Sequence, residues 1–263
     1  MEENDVEGTR RLRNAAILSE SIRYDSGNGD PVDAYFSRPL GIGPIPSILI
    51  IHHSPGIDEW TREVVRKFAD HSYLTMCPNL LSREMETRTR NEARAVVRSE
   101  GGVPDERMLA DVQGGIRFLK NHPDSSGTLG IVGFCSGGRQ AYLAACRLGA
   151  NAIIDCYGGS IVADASKLSE RHPIAPIDLT SDLNCPFLGL FGDKDPHVPI
   201  EDIHKLEVAL KENGKSYETH VYPGAGHAFF CTTGKSYDFA AAGDGWSRIF
   251  DFLENNLKDQ PLR

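Results

Sequence analysis

Apolar residues occur in short unbroken runs, separated by longer stretches with helical spacing. Ser47-Ile48-Leu49-Ile50-Ile51 is almost wholly apolar, as expected for a strand buried on both faces of a helix-covered parallel sheet. Similar short runs lie at Tyr73-Leu74-Thr75-Met76-Cys77, 128–133, 152–157, 187–191 and 218–222. Residues 17–24 and 32–37 read as two further strands about the turn-forming segment Asp25-Ser26-Gly27-Asn28-Gly29-Asp30. Between the runs, apolar residues return every three or four positions. Trp60, Val64, Val65 and Phe68 mark a helix over about 57–71, and Met108, Leu109, Val112, Ile116 and Leu119 another over 105–121. Helices are expected also over 136–148, 200–213 (with Gly214 just past its end) and 240–257. Strands thus alternate with helices from 47 to 257 without a linker or repeat. The pattern predicts one α/β domain over 15–263 with a mostly parallel sheet.

Three stretches stand apart. Residues 1–14 are polar and charged and read as a flexible N-terminal arm. Residues 79–104 carry Arg83, Arg88, Arg90, Arg94 and Arg98 and read as a loop and one exposed helix with a solvated arginine face. Residues 158–185 contain Pro173 and Pro176 and mixed polarity. That segment is too long for an ordinary connection, so a small cap or excursion beside a site is expected.

Composition narrows the class. Hydrophobic residues are 40% and charged residues 25% of the 263, which suits a soluble globular chain and excludes disorder as its description. No apolar run approaches the ~20 residues needed to span a bilayer, and the start, Met1-Glu2-Glu3-Asn4-Asp5, is not an apolar leader. The net charge of −9 argues against nucleic acid as a partner. Cys77, Cys135, Cys146, Cys156, Cys185 and Cys231 form no C-x-x-C pair, so free thiols in a reducing cytoplasm are expected. A free cysteine is by default a small buried hydrophobe.

Cys135 departs from that default. Gly133-Phe134-Cys135-Ser136-Gly137-Gly138 stands between an apolar strand and a helix, a nucleophile elbow with cysteine in the place of serine. Its sharp turn requires very small residues two before and two after the nucleophile. Gly133 and Gly137 meet that condition for Cys135, whereas Phe134 fails it for Ser136. The helix N-terminus beneath favours a thiolate. An acid and a base are then expected in that chain order. Asp193 and Asp195 both lie just beyond the strand at 187–191. Asp195 has the G-x-x-D-x-x-V-P context of a triad acid, while Asp193 reads as a solvated turn residue. His227 follows the strand at 218–222 in the glycine-rich Gly224-Ala225-Gly226-His227 and reads as the base.

These three motifs together resemble the dienelactone hydrolase (carboxymethylenebutenolidase) family, as does the strand exit Cys77-Pro78-Asn79-Leu80; the resemblance covers about 30–258. It implies the α/β-hydrolase fold and a cofactor-free, cysteine-dependent hydrolase of lactones or carboxylic esters, acting on a small molecule as a monomer or homodimer. Cys135 attacks an acyl carbon to give a thioester, with backbone N–H groups of Ser136 and, by position, Ser54 holding the oxyanion. His227 activates water, and Asp195 orients His227. Two departures bear on substrate. His53 takes the place of a family glutamate after the first parallel strand, where an imidazole would tune the thiol by charge. Cys231 takes the place of a substrate-binding arginine four residues after the histidine. A second family arginine falls within 79–104, where Arg90 and Arg94 both qualify. His52 and His53 do not make a metal site, since no further ligand follows at suitable spacing; His52 is expected to pack beside the site. Two rival readings are an inactive binding protein on the same fold and a thiol redox protein. The intact triad argues against the first and the lack of a resolving cysteine against the second.

Overall fold

The computed structural model describes residues 16–41 and 43–258; the expected arm at 1–14 lies outside them. Its sheet has eight strands in the order β1-β2-β4-β3-β5-β6-β7-β8. The strands are β1 (Ile17–Asp25), β2 (Pro31–Pro39), β3 (Ile45–Ile51), β4 (Leu74–Pro78), β5 (Ser125–Phe134), β6 (Ala152–Cys156), β7 (Phe187–Gly192) and β8 (Tyr217–Tyr222). β1 and β2 pair antiparallel, as do β2 and β4, and every other neighbouring pair is parallel.

Strand alternation divides the core. Ile48 and Ile50 of β3 join Val64, Val65 and Phe68 of α1 (Glu59–Asp70) and Ile249 and Phe252 of α7 (Phe239–Leu253). Leu49 and Ile51 face the other way, onto Met108, Val112 and Ile116 of α4 (Asp105–Asn121) and Leu143 of α5 (Ser136–Leu148). Both faces of β3 are therefore apolar because both are covered. A turn of π-helix (Glu254–Lys258) continues α7, and α6 (Ile200–Glu212) joins β7 to β8. None of the described helices is long and apolar enough to cross a membrane.

The chain leaves β3 for β4 on one side and later enters β5 on the other. This reversal opens a crevice at the carboxyl ends of β3 and β5, where open α/β sheets bind ligands. The same rim carries the ends of β7 and β8.

The two excursions differ in detail from the expectation. Residues 79–104 hold two helices, the short α2 (Ser82–Met85) and α3 (Arg90–Ser99), and α3 buries Ala93 and Val97. Arg83 is not part of a solvated face. It forms a two-pronged bond to Asp111, a fully buried carboxylate, and reaches Asp30. Residues 158–185 contain two short 3-10 turns (Ala165–Lys167 and Pro176–Asp182), and the second is tied to α5 by a 2.8 Å bond between the Thr180 and Tyr142 hydroxyls.

Arg139 on α5 grips Asp105 of α4 through bonds of 2.6 and 3.0 Å and also donates to the Ile174 carbonyl. The pair is largely dry, with side-chain exposures of 10% and 8%. Truncating one partner strands the other charge. Asp105→Ala is accordingly expected to cost about 3–5 kcal/mol, seen as a lower urea midpoint at unchanged slope. An unchanged midpoint would mean that the fold does not depend on this clamp.

Candidate active site

β5 delivers Cys135 to the crevice at φ 58°, ψ −122°, a left-handed conformation that a non-glycine residue holds only where its surroundings enforce it. A Cβ on Gly133 would strike the Gly137 carbonyl, and one on Gly137 the Ile51 carbonyl. These contacts explain the two glycines of the elbow. The Cys135 amide donates to the Cys156 carbonyl at 3.0 Å, keeping the turn against β6.

The structure brings the three predicted side chains into one line. His227 Nε2 lies 3.0 Å from Cys135 Sγ, and His227 Nδ1 lies 2.7 Å from Asp195 Oδ2. A carboxylate only accepts, so Nδ1 carries the proton and Nε2 faces the sulfur. The Asp195 side chain is fully buried, and its second oxygen accepts from the His197 amide at 2.8 Å. Asp193 is not merely a solvated turn residue. Its Oδ1 accepts from the Gly224 amide at 2.6 Å and clasps the glycine-rich loop that presents His227.

Electrostatics favour a thiolate–imidazolium pair. Burial opposes ionisation of Cys135, but the His227 bond and charge, then the Ser136 and Ser54 amides, bring its pKa below the ordinary thiol value. Burial likewise opposes the His227 cation, yet bonds to Asp195 and Cys135 raise its pKa to about 9. The Ser136 and Ser54 amides therefore both point toward the sulfur, the side on which an oxyanion would form. In contrast, burial pushes the Cys146 and Cys185 thiols up to about 12 and raises Cys77 and Cys156 well above the ordinary thiol value.

His53 sits differently from the expectation. Its Nε2 bonds Asp58 Oδ2 at 2.9 Å, and its ring packs on Trp60 at 4.9 Å. Asp58 also caps α1 through the Thr61 amide. Burial works against this carboxylate, but the His53 and Thr61 bonds hold its pKa near 2. His53 thus anchors the loop after β3, and the groups acting most strongly on the thiol are His227 and the two amides. His52 packs beside the site as expected. It donates Nδ1–H to the His53 carbonyl and accepts the Leu80 amide at Nε2, and burial lowers its pKa to about 4, so it is neutral.

The pocket residues diverge as well. Arg90 donates to the Ile57 carbonyl at 3.2 Å and braces the same loop. Arg94 is half-buried on α3. Cys231 is buried, with its sulfur 3.4 Å from the Thr233 hydroxyl. Aromatic rings complete the wall. Tyr157 meets the His227 ring edge-on at 5.3 Å and His197 does so at 4.8 Å, while Trp60 Nε1 donates to the Phe230 carbonyl. Periodicity places Trp60 on the apolar side of its helix, but nothing in the local pattern around His197 signals a ring set edge-on to the imidazole.

A mostly parallel sheet, a strained residue at the strand–helix elbow and an acid–imidazole pair from the next strand ends define an α/β-hydrolase. The dienelactone hydrolase family profile matches residues 32–257, and the chain belongs to that family of lactone and ester hydrolases. It is 33% identical over 224 residues, 84% of its length and 76% of the relative's, to a Methylorubrum extorquens protein assigned as a carboxymethylenebutenolidase. A Bradyrhizobium protein assigned as a 2-oxo-3-(5-oxofuran-2-ylidene)propanoate lactonase is 28% identical over 92% of this chain and 98% of its own. The crystal structure of a Klebsiella pneumoniae protein assigned as a dienelactone hydrolase superposes with a TM-score of 0.82 at 31% identity, covering 90% of this chain and 98% of that one.

Proposed function

We propose that this protein hydrolyses carboxylic esters or lactones by covalent catalysis through Cys135. The observation that carries the reading is the continuous chain Sγ–Nε2–Nδ1–Oδ2, at 3.0 and 2.7 Å, on a thiol whose pKa is lowered. The Cys135 thiolate attacks the acyl carbon and a C–S bond forms. The carbonyl electron pair moves to oxygen and is held by the Ser136 and Ser54 N–H groups. Collapse breaks the C–O bond, and the leaving alkoxide takes the proton from His227 Nε2. In a lactone that alkoxide remains tethered to the acyl group. Neutral His227 then removes a proton from water, hydroxide attacks the thioester, and the C–S bond breaks to release the acid and restore the thiolate. Asp195 holds the imidazole in orientation throughout.

Two relatives are named for lactones, which supports a cyclic ester as substrate. Cys231, four residues beyond His227, supplies no positive charge there. Uncharged lactones and esters are therefore expected to be turned over comparably to anionic ones. The test is a panel of both kinds, followed by acid quench and peptide mass mapping. Acyl mass on the Cys135 peptide supports the mechanism; turnover without such an adduct on Cys135, under conditions that trap a thioester standard, rejects it.

The resting thiol can be read without substrate. Iodoacetamide should modify Cys135 first, with the rate rising below the ordinary cysteine pKa of ~8.5. His227→Ala should move that rise to higher pH, because it removes the cation that holds the thiolate. Modification of Cys146 or Cys185 ahead of Cys135 would contradict the charge arrangement.

A further inference from the structure

One buried carboxyl is unused by this mechanism. Asp155 is the acid in the otherwise apolar β6, Ala-Ile-Ile-Asp-Cys, in which every residue is buried. It lies in register between Gly133 of β5 and Gly189 of β7, one strand over from the elbow. Its Oδ1 accepts the Gly158 amide at 2.8 Å. A Cβ on Gly138 or on Gly158 would overlap that same oxygen, so the carboxyl is wedged between the first turn of α5 and the turn after β6. Its Oδ2 is buried with no hydrogen-bond partner. An unpaired buried carboxylate oxygen is costly, and the positive end of α5 offsets only part of that cost.

The groups around it belong to the site. His227, on the loop after β8, attracts the carboxylate, and Asp195, on the loop after β7, repels it. Cys135 stands at the N-cap of α5, and Cys156 and Tyr157 follow Asp155 in the chain. Arg139 on α5 is committed to Asp105. His197, after β7, meets the His227 ring edge-on. Tyr157, in the turn that Asp155 ties down, packs its ring against His227.

We infer that Asp155 is a positioning residue for His227: a second ionisable carboxyl beneath the triad, whose charge favours the protonated imidazole and whose protonation withdraws that support. Burial, with Asp195 adding, pushes this carboxyl up to about 7, against the Gly158 amide and the His227 charge. Above that pH Asp155 is an anion and stabilises the imidazolium of the ion pair. Below it the carboxyl is neutral, and the balance between thiolate–imidazolium and thiol–imidazole moves toward the neutral pair. Two groups coupled in this way titrate together.

The inference rests on the triad reading, but its test follows His227 directly and does not use turnover. In the full chain with isotope-labelled histidine, the His227 ring resonances should show an inflection near 7 in addition to its own near 9. Asp155→Asn keeps an acceptor for Gly158. It should abolish the lower inflection and move the upper one to lower pH. His197→Gln removes the neighbouring imidazole, and the lower inflection should persist in it. Absence of that inflection in the wild type, its survival in Asp155→Asn, or its loss in His197→Gln would each overturn the inference. Should the Asn chain not fold, the wild-type and His197→Gln titrations decide alone. A failure here is distinct from a failure of the triad, since Cys135→Ala would still abolish hydrolysis.

Discussion

Cys135→Ala is expected to lower kcat for any ester or lactone substrate by about 10³-fold or more, with little change in the unfolding transition. The alanine has no nucleophile, and neither the flanking Ser136 nor the buried thiols can replace it. Ser136 begins α5 with an exposed side chain, and only its amide is directed at the sulfur. The stability effect is small because Cys135 is only partly buried and the elbow is held by backbone contacts that alanine preserves. Cys135→Ser should also be severely impaired. A hydroxyl in the same place has no accessible anion near neutral pH, so His227 would have to act as a general base from the start. The alanine variant carries a second signature. The thiolate contributes to the high pKa of His227, so the imidazole should titrate below about 9 once the sulfur is gone. Near-normal turnover with alanine at 135 would reject Cys135 as the nucleophile and require hydrolysis without a thioester.

The parts of the site that follow from local periodicity were legible in the sequence. An unbroken apolar run announces a doubly covered strand, and paired glycines around a strand–helix turn select Cys135, because backbone sterics act within a few residues. Spacing placed Asp195 and His227 at strand ends, and parallel strands bring those ends to one rim. Charged partners were not legible. Arg83 meets Asp111 from 28 residues away, and a helical arginine stripe looks the same whether it is solvated or bonded to a buried acid. His53 looked toward the thiol in one dimension, yet its Nε2 is bonded to Asp58, five residues on, which also caps the next helix. Asp155 lies within a run, 152–157, that reads in sequence simply as a buried strand. Its meaning depends on two glycines from other elements that leave its carboxyl just enough room.

Asp195→Asn and Asp193→Asn should separate sharply, although the two residues share one turn. Asp195→Asn is expected to reduce kcat by about 10⁴-fold, the size found when the acid of a Ser-His-Asp triad is amidated. The His197 amide takes one oxygen of Asp195, so an asparagine satisfying that donor turns its NH₂ toward His227 Nδ1. Nδ1 must then accept, the ring proton moves to Nε2, and a neutral His227 can no longer take the thiol proton. The anion that supports the imidazolium is lost in the same step, so the His227 pKa should also fall from about 9. Asp193→Asn retains an oxygen for the Gly224 amide, so the loop stays clasped and turnover should remain within a few-fold of the parent. Asp193→Ala, which removes that acceptor, should instead loosen the loop and raise the susceptibility of 223–227 to proteolysis. Steady-state kinetics on the three variants, with the His227 tautomer read by nitrogen resonances, make the comparison. Equal damage from the two asparagine substitutions would show that loop anchoring, not tautomer control, dominates this turn.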